Sequence, residues 1–231
     1  MNRPHMIGCA CGCLLRSPTE LGSGPGASST SSGFTLPREI AGVRVPDTAL
    51  AKTVTTLVRE ASRPGLFNHV VRSYVFGTKA GEVMGLKFDA EQLFVAAIMH
   101  DLGLTEPYLA DARFELDSAD AAAKILRDNQ YPESKIDLVW QAIALHSTRE
   151  IPERMDAIIA LVHLGAFMDG GFKAELLTRK DLGELLEALP RLDSQGGFIE
   201  SLADVLRKKP HTAYLAFERD IAERTNPNFR A

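Results

Sequence analysis

From Leu36 onward, apolar residues return every three or four positions, the period of helices that each bury one face. The segment TALAKTVTTLVREAS, after Pro46 and Asp47, is the first of them. Pro64 and Gly65 interrupt the pattern, and LFNHVVRSYVFGTKAGEVMG resumes it as a second helix. Asp89 is placed to cap a third, with Gln92 three residues on as its capping-box partner. That third segment, AEQLFVAAIMHD, is apolar on most sides, so it belongs at the centre of a bundle, and Gly103 is its natural stop. Asp117 is expected to cap SADAAAKILRDNQ, and Pro132 to open ESKIDLVWQAIALHS. Pro152 is expected to open ERMDAIIALVHLGAFMD, which Gly170 and Gly171 close. Weaker helical patterns run over about 180–189 and 210–224. Only IAGVRV reads as extended, and no internal repeat is found. The pattern predicts an all-α bundle.

Ahead of this body the character changes. Residues 17–35, SPTELGSGPGASSTSSGFT, have no apolar period and too little apolar surface to offset the entropy of ordering them. Residues 1–35 are therefore expected to be a disordered extension, and residues 36–231 one folded domain, a division that suits a chain of 231 residues. Cys9, Cys11 and Cys13, the only cysteines, all lie in the extension. A cysteine-free body cannot depend on disulfides, which fits a reducing cytoplasm, and the C-x-C-x-C spacing in a tail reads as incidental. The apolar run from Met6 to Leu15 is broken by Gly8 and Gly12 and is too short to span a bilayer. A formal net charge of −4 gives no electrostatic reason for a nucleic-acid or membrane partner. It leaves room for a small-molecule substrate, since one local arginine suffices for a small anion. Homo-oligomerisation is left open, because the amphipathic C-terminal helices suit a dimer interface or a cover for the core equally.

Candidate chemistry concentrates where apolar helices end on ionisable residues. His100 and Asp101 close an almost wholly apolar helix, where a carboxylate is costly unless something pairs with it, and a divalent cation is an efficient partner. An isolated His-Asp pair is more simply a helix cap. Here, however, His69 lies one helix earlier with Arg72 and Ser73 on its face. His146 ends the apolar IDLVWQAIALHS, and Asp169 ends AIIALVHLGAFMD beside the small residues Gly165 and Ala166. One metal site accounts for all of them together. Two imidazoles with two carboxylates suit Zn²⁺, Fe²⁺ or Mn²⁺, and ligand type alone does not choose among them; one ion is expected, with Zn²⁺ placed first. His163 falls about 120° around its helix from Asp169 and should face elsewhere, so one metal is expected rather than two. Arg72 either clamps a polar or anionic substrate or orients Asp101. Glu115 and Asp117 read as a turn and cap, Trp140 as core, and His5 and His211 as surface residues.

The order of a His, an adjacent His-Asp and a distant Asp resembles the metal-binding signature of the HD superfamily. The strings NHVVRSYVFG, FVAAIMHDLGL, RFELDSADAA and VWQAIALHS are similar to the cyanamide hydratase branch of that superfamily. The resemblance implies a single HD-domain helical bundle with His69, His100, Asp101 and Asp169 as metal ligands. It also implies a metal-activated water adding to a small nitrile-like molecule such as cyanamide, giving a urea-type product. Asp101 and His146 are then the candidates for moving protons, and Asn68 and Arg72 for contacting substrate. Two other readings stand beside it. One is the phosphohydrolase activity common in the superfamily, on a nucleotide or other phosphomonoester; the other is a non-catalytic ligand sensor on the same fold. Beyond about residue 175 no motif matches.

Overall fold

The computed structural model describes residues 34–192, 194–214, 216 and 218–229. His5, the three cysteines and nearly all of the extension expected at 1–35 lie outside these residues. Within them, a two-residue hairpin (β1, Glu39–Ile40; β2, Val43–Arg44) precedes the helices. It lies within IAGVRV, with Ala41 and Gly42 both in the left-handed region that a two-residue turn requires. The Tyr74 hydroxyl donates to the Arg44 carbonyl and ties the hairpin to the bundle (2.8 Å).

The helices are α1 (Ala49–Ala61), α2 (Pro64–Val83), α3 (Ala90–Met99), α4 (Phe114–Asp128), α5 (Glu133–Leu145), α6 (Ala157–Asp169), α7 (Arg179–Ala188), α8 (Ser194–Lys208) and α9 (Arg219–Thr225). Every residue of α3 from Leu93 to Met99 is fully buried, so the most apolar helix is the central one. Helices α2 and α6 cross at backbone contact. A methyl group added at Gly165 would lie 2.1 Å from the Ser73 carbonyl oxygen, and one at Gly77 would lie 2.6 Å from that of Leu161. This close approach brings the start of α2, which carries His69, beside the end of α6, which carries Asp169.

Several sequence expectations are corrected. Gly103 does not end α3 through a left-handed turn. The chain passes from α3 into a 3-10 turn at Leu102–Leu104, and Gly103 is required by proximity, its Cβ position lying 2.2 Å from the Phe114 carbonyl. Asp117 is not a helix cap, because α4 begins three residues earlier. Its buried carboxylate accepts the amides of Ala110 and Ala112 and pairs with buried Lys209, which also donates to the carbonyls of residues 110 and 112. Pro152 opens a 3-10 turn, and α6 starts only after Asp156, whose side chain accepts the Ile158 amide. The pattern expected over 210–224 is a 3-10 turn at Pro210–Ala213 and the short α9, while α8 was not anticipated at all. Helix α8 brings Leu202, Val205 and Leu206 against Leu66, Leu104 and Phe114, forming a second, smaller core. Trp140 packs against the main core as expected, partly buried, and its indole N–H donates to Asp120 (2.8 Å). No helix among the described residues is long and apolar enough to cross a membrane.

Candidate metal centre

The site forms where α3 stops. His100 retains helical dihedrals, and Asp101 turns to φ −110°, ψ 15°, as the chain tightens into the 3-10 turn. The two adjacent side chains therefore converge instead of splaying around a helix. His100 Nδ1 lies 2.7 Å from the Ala97 carbonyl, which can only accept, so this nitrogen carries the proton and Nε2 presents its lone pair. His146, at the end of α5, repeats the arrangement with Nδ1 on the Ile143 carbonyl at 2.7 Å. Both imidazoles are thus fixed in the tautomer that a metal ligand or proton acceptor at Nε2 needs.

Asp101 sits at the focus. It is 1% exposed, and neither carboxylate oxygen has a hydrogen-bond partner among the described residues; nor does His100 Nε2. Buried polar atoms are nearly always paired, so three orphans on neighbouring side chains call for a missing partner. Around the carboxylate stand three imidazole nitrogens, Nε2 of His100 at 3.3 Å, of His69 at 3.5 Å and of His146 at 3.6 Å. Two ligand atoms each about 2.1 Å from one tetrahedral cation lie about 3.4 Å apart, so these separations are those of atoms sharing an ion. Ligand atoms of His69, His100 and Asp101 all lie within 4.8 Å of one another, and these three residues fit a divalent cation. Burial alone would raise the Asp101 carboxyl, but His100, and then His69 and His146, hold it well below the usual carboxylate range. Burial, reinforced by His100, pushes the His146 imidazole down to about 4.

Asp169 is not in the three-residue group. Its carboxylate stands behind His69: Oδ2 is 2.7 Å from His69 Nδ1, and both oxygens accept from the Arg72 guanidinium at 2.8 and 2.7 Å. A carboxylate on the far nitrogen of a ligating imidazole fixes its ring and raises its basicity, and Asp169 holds that position. Burial works against ionisation of Asp169, yet the hydrogen bonds from His69 and Arg72 keep its carboxyl far below the ordinary value.

Arg72 is a further correction. It is completely buried and orients Asp169, neither clamping a substrate nor touching Asp101, and its remaining donors reach the carbonyls of Leu189 and Pro190. Asn68, expected at the substrate, instead donates to the Pro190 carbonyl (2.8 Å) and is absent from the cavity lining. His163 does face elsewhere; its Nδ1 donates to the His146 carbonyl and its Nε2 lies 3.5 Å from Glu153. Glu115, in the first turn of α4, is buried on Ser147 and Arg113.

The centre opens into a cavity of about 530 Å³. Its lining combines His69, His100, Asp101, His146 and Asp169 with Phe114, Phe167, Phe172 and Phe198. Arg191 and Ile199 complete one side. Sequence reasoning missed Arg191, Phe198 and Ile199, which lie beyond the region that any motif reaches. The apolar spacing of Phe198, Leu202, Val205 and Leu206 was the available signal for the helix of Phe198 and Ile199; Arg191, before it, had none.

The domain is an all-α bundle around a buried cluster of metal-ligand-type His and Asp side chains. The chain matches the HD domain family model over residues 66–185, just over half its length, and it belongs to the HD domain family. HD domains bind a divalent metal through a His/Asp cluster and are generally metal-dependent hydrolases, and the matched span contains all of the ionisable residues at the centre. No curated protein matches the chain.

Proposed function

We propose that this protein is a metal-dependent hydratase or hydrolase of a small organic substrate, adding water to a nitrile-type carbon in the manner of the cyanamide hydratase branch. The observation that carries the reading is the buried Asp101 carboxylate, without a hydrogen bond and ringed by three imidazole nitrogens. His69, His100 and Asp101 would hold the cation. A divalent cation, when bound, supplies a coordinated water of lowered pKa and a Lewis acid for the group under attack.

The chain's own residues supply the rest. Asp169, fixed by the Arg72 fork, sets the His69 ring so that Nε2 faces Asp101. His146 is neutral across the physiological range, with Nε2 free and directed at the site, so it can take a proton from the attacking water and return it to a nitrogen anion. Asp101 Oδ1 lies 3.6 Å from His146 Nε2, so the carboxylate charge faces the imidazole that takes the proton. The phenylalanines supply an apolar wall beside the reacting atoms, which lowers the local dielectric and strengthens charge interactions there.

A phosphomonoester substrate is the second reading, and Arg191 on the cavity wall favours it. The two separate in one panel. Metal-loaded and EDTA-treated protein would each be incubated with cyanamide, larger organonitriles and deoxynucleotides, following amide or urea and inorganic phosphate. Metal-dependent formation of amide or urea alone supports the proposal; phosphate release alone replaces it with the second reading.

A further inference from the structure

We infer that the substrate of this cavity is an organic monoanion, a carboxylate carried on an apolar body, and that Arg191 reads the carboxylate. The inference rests on the cavity being the substrate site and deepens that reading.

Size comes first. Cyanamide is one nitrile carbon bearing an amino group, and it would leave most of a 530 Å³ cavity unfilled. Pockets of this volume ordinarily take molecules with a substantial apolar body fixed by a few polar groups. The wall matches that description: the Phe198 ring lies 5.8 Å from the His69 ring, and the Phe114 ring 5.6 Å from that of His146. Aromatic surface therefore flanks the metal centre on both sides, and a body lying along it would keep its reacting group beside Asp101.

Charge comes second. Among the described residues, Arg191 is the only Lys or Arg that lines the cavity. One Nη donates to the Asp169 backbone carbonyl at 2.7 Å and lies 3.5 Å from that residue's carboxylate, so the guanidinium is anchored next to the His69–Asp169 pair. Its Nε is buried and has no hydrogen-bond partner, and the side chain is otherwise 39% exposed. A guanidinium tethered by one Nη on the wall of the cavity is held in place to meet a carboxylate there. A single cation matches a single negative charge.

Binding tests this without relying on turnover. Phenylacetate, neutral phenylacetamide and phenyl phosphate would be titrated calorimetrically into the full chain, as wild type, Arg191→Gln and Arg191→Lys, with metal content measured on every sample. Wild type is expected to bind phenylacetate about tenfold more tightly than phenylacetamide, the worth of one charged hydrogen-bonded contact. Arg191→Gln should lose that preference with metal content unchanged, and Arg191→Lys should keep part of it. Equal binding of acid and amide by wild type, or a preference surviving in Arg191→Gln, would overturn the inference, the latter placing the anion on the metal. Tighter binding of phenyl phosphate than of phenylacetate would overturn the carboxylate assignment. An Arg191-dependent preference in protein that takes up no metal would leave this inference standing and remove the hydratase reading.

Discussion

Replacing Arg72 by leucine removes a cation that touches no solvent and whose work is entirely internal. Its guanidinium makes two charged hydrogen bonds to Asp169, at 2.8 and 2.7 Å, and two more to the carbonyls of Leu189 and Pro190, at 3.1 and 3.2 Å. Deleting one member of a buried ion pair costs about 3–5 kcal/mol, chiefly because the other charge stays behind unpaired. Asp169 retains its contact with His69, and the Pro190 carbonyl is only partly buried, so the lower end of that range applies, about 3 kcal/mol. For a domain of this size that loss lowers Tm by roughly 6–12 °C. Urea unfolding followed by circular dichroism in EDTA measures it without metal linkage. Arg72→Lys, which keeps a charge but cannot fork, should recover part of the loss and provides a folded comparison. Adding Asp169→Asn closes a double-mutant cycle, which should show strong coupling. A loss below about 1 kcal/mol, within the range of exposed ion pairs, would refute the claim that Arg72 is the buried anchor of Asp169.

Three further perturbations follow from packing and charge. Gly165→Ala should destabilise by about 2 kcal/mol or more, since its methyl meets the Ser73 carbonyl, whereas Gly183→Ala on α7, with open space around it, should stabilise by about 0.5–1 kcal/mol; paired thermal melts check both signs. Lys209→Met should cost about 3 kcal/mol and speed hydrogen exchange at the Ala110 and Ala112 amides, because Asp117 then loses its buried partner; unchanged exchange there would contradict the lock. Burial, together with Glu115, pushes the Glu218 carboxyl up from 4.5 to about 7. A carboxyl raised in the folded state binds its proton more tightly there, so wild-type stability should fall as pH rises from below 5 to above 7. Glu218→Gln should lack this component and gain on wild type across the same window in pH-dependent urea titrations.

The helices from α1 to α6 were legible because each carries a long apolar stripe, and the HD pair was legible because His69, His146 and Asp169 sit on three other apolar helices. What the sequence concealed depends on contacts between distant segments. Arg72 lies on the His69 face as expected, yet its partner Asp169 is 97 residues away, and no local spacing tells a buried anchor from a substrate clamp. Asp169 shows the same limit: its contacts with His69 and Arg72, 100 and 97 residues away, come from the fold and not from local spacing. Asp117 has the composition of a cap but is held by Lys209, 92 residues on. Helix α8 was hidden behind Gly196 and Gly197, which weaken a helical reading although Phe198, Leu202, Val205 and Leu206 keep the period. Arg191, in the connection before it, belongs to no motif and gains significance only from the cavity it faces.

The central claim is that His69, His100 and Asp101 hold one divalent cation, and elemental analysis of the purified protein beside His100→Ala and Asp101→Ala tests it most directly. The account predicts about one equivalent of Zn, Fe or Mn in the wild type, the single tetrahedral site that three protein ligands and a water define. Both variants should lack it while remaining folded by circular dichroism. A wild-type protein that holds no metal even after reconstitution, or variants that retain a full equivalent, would contradict the account.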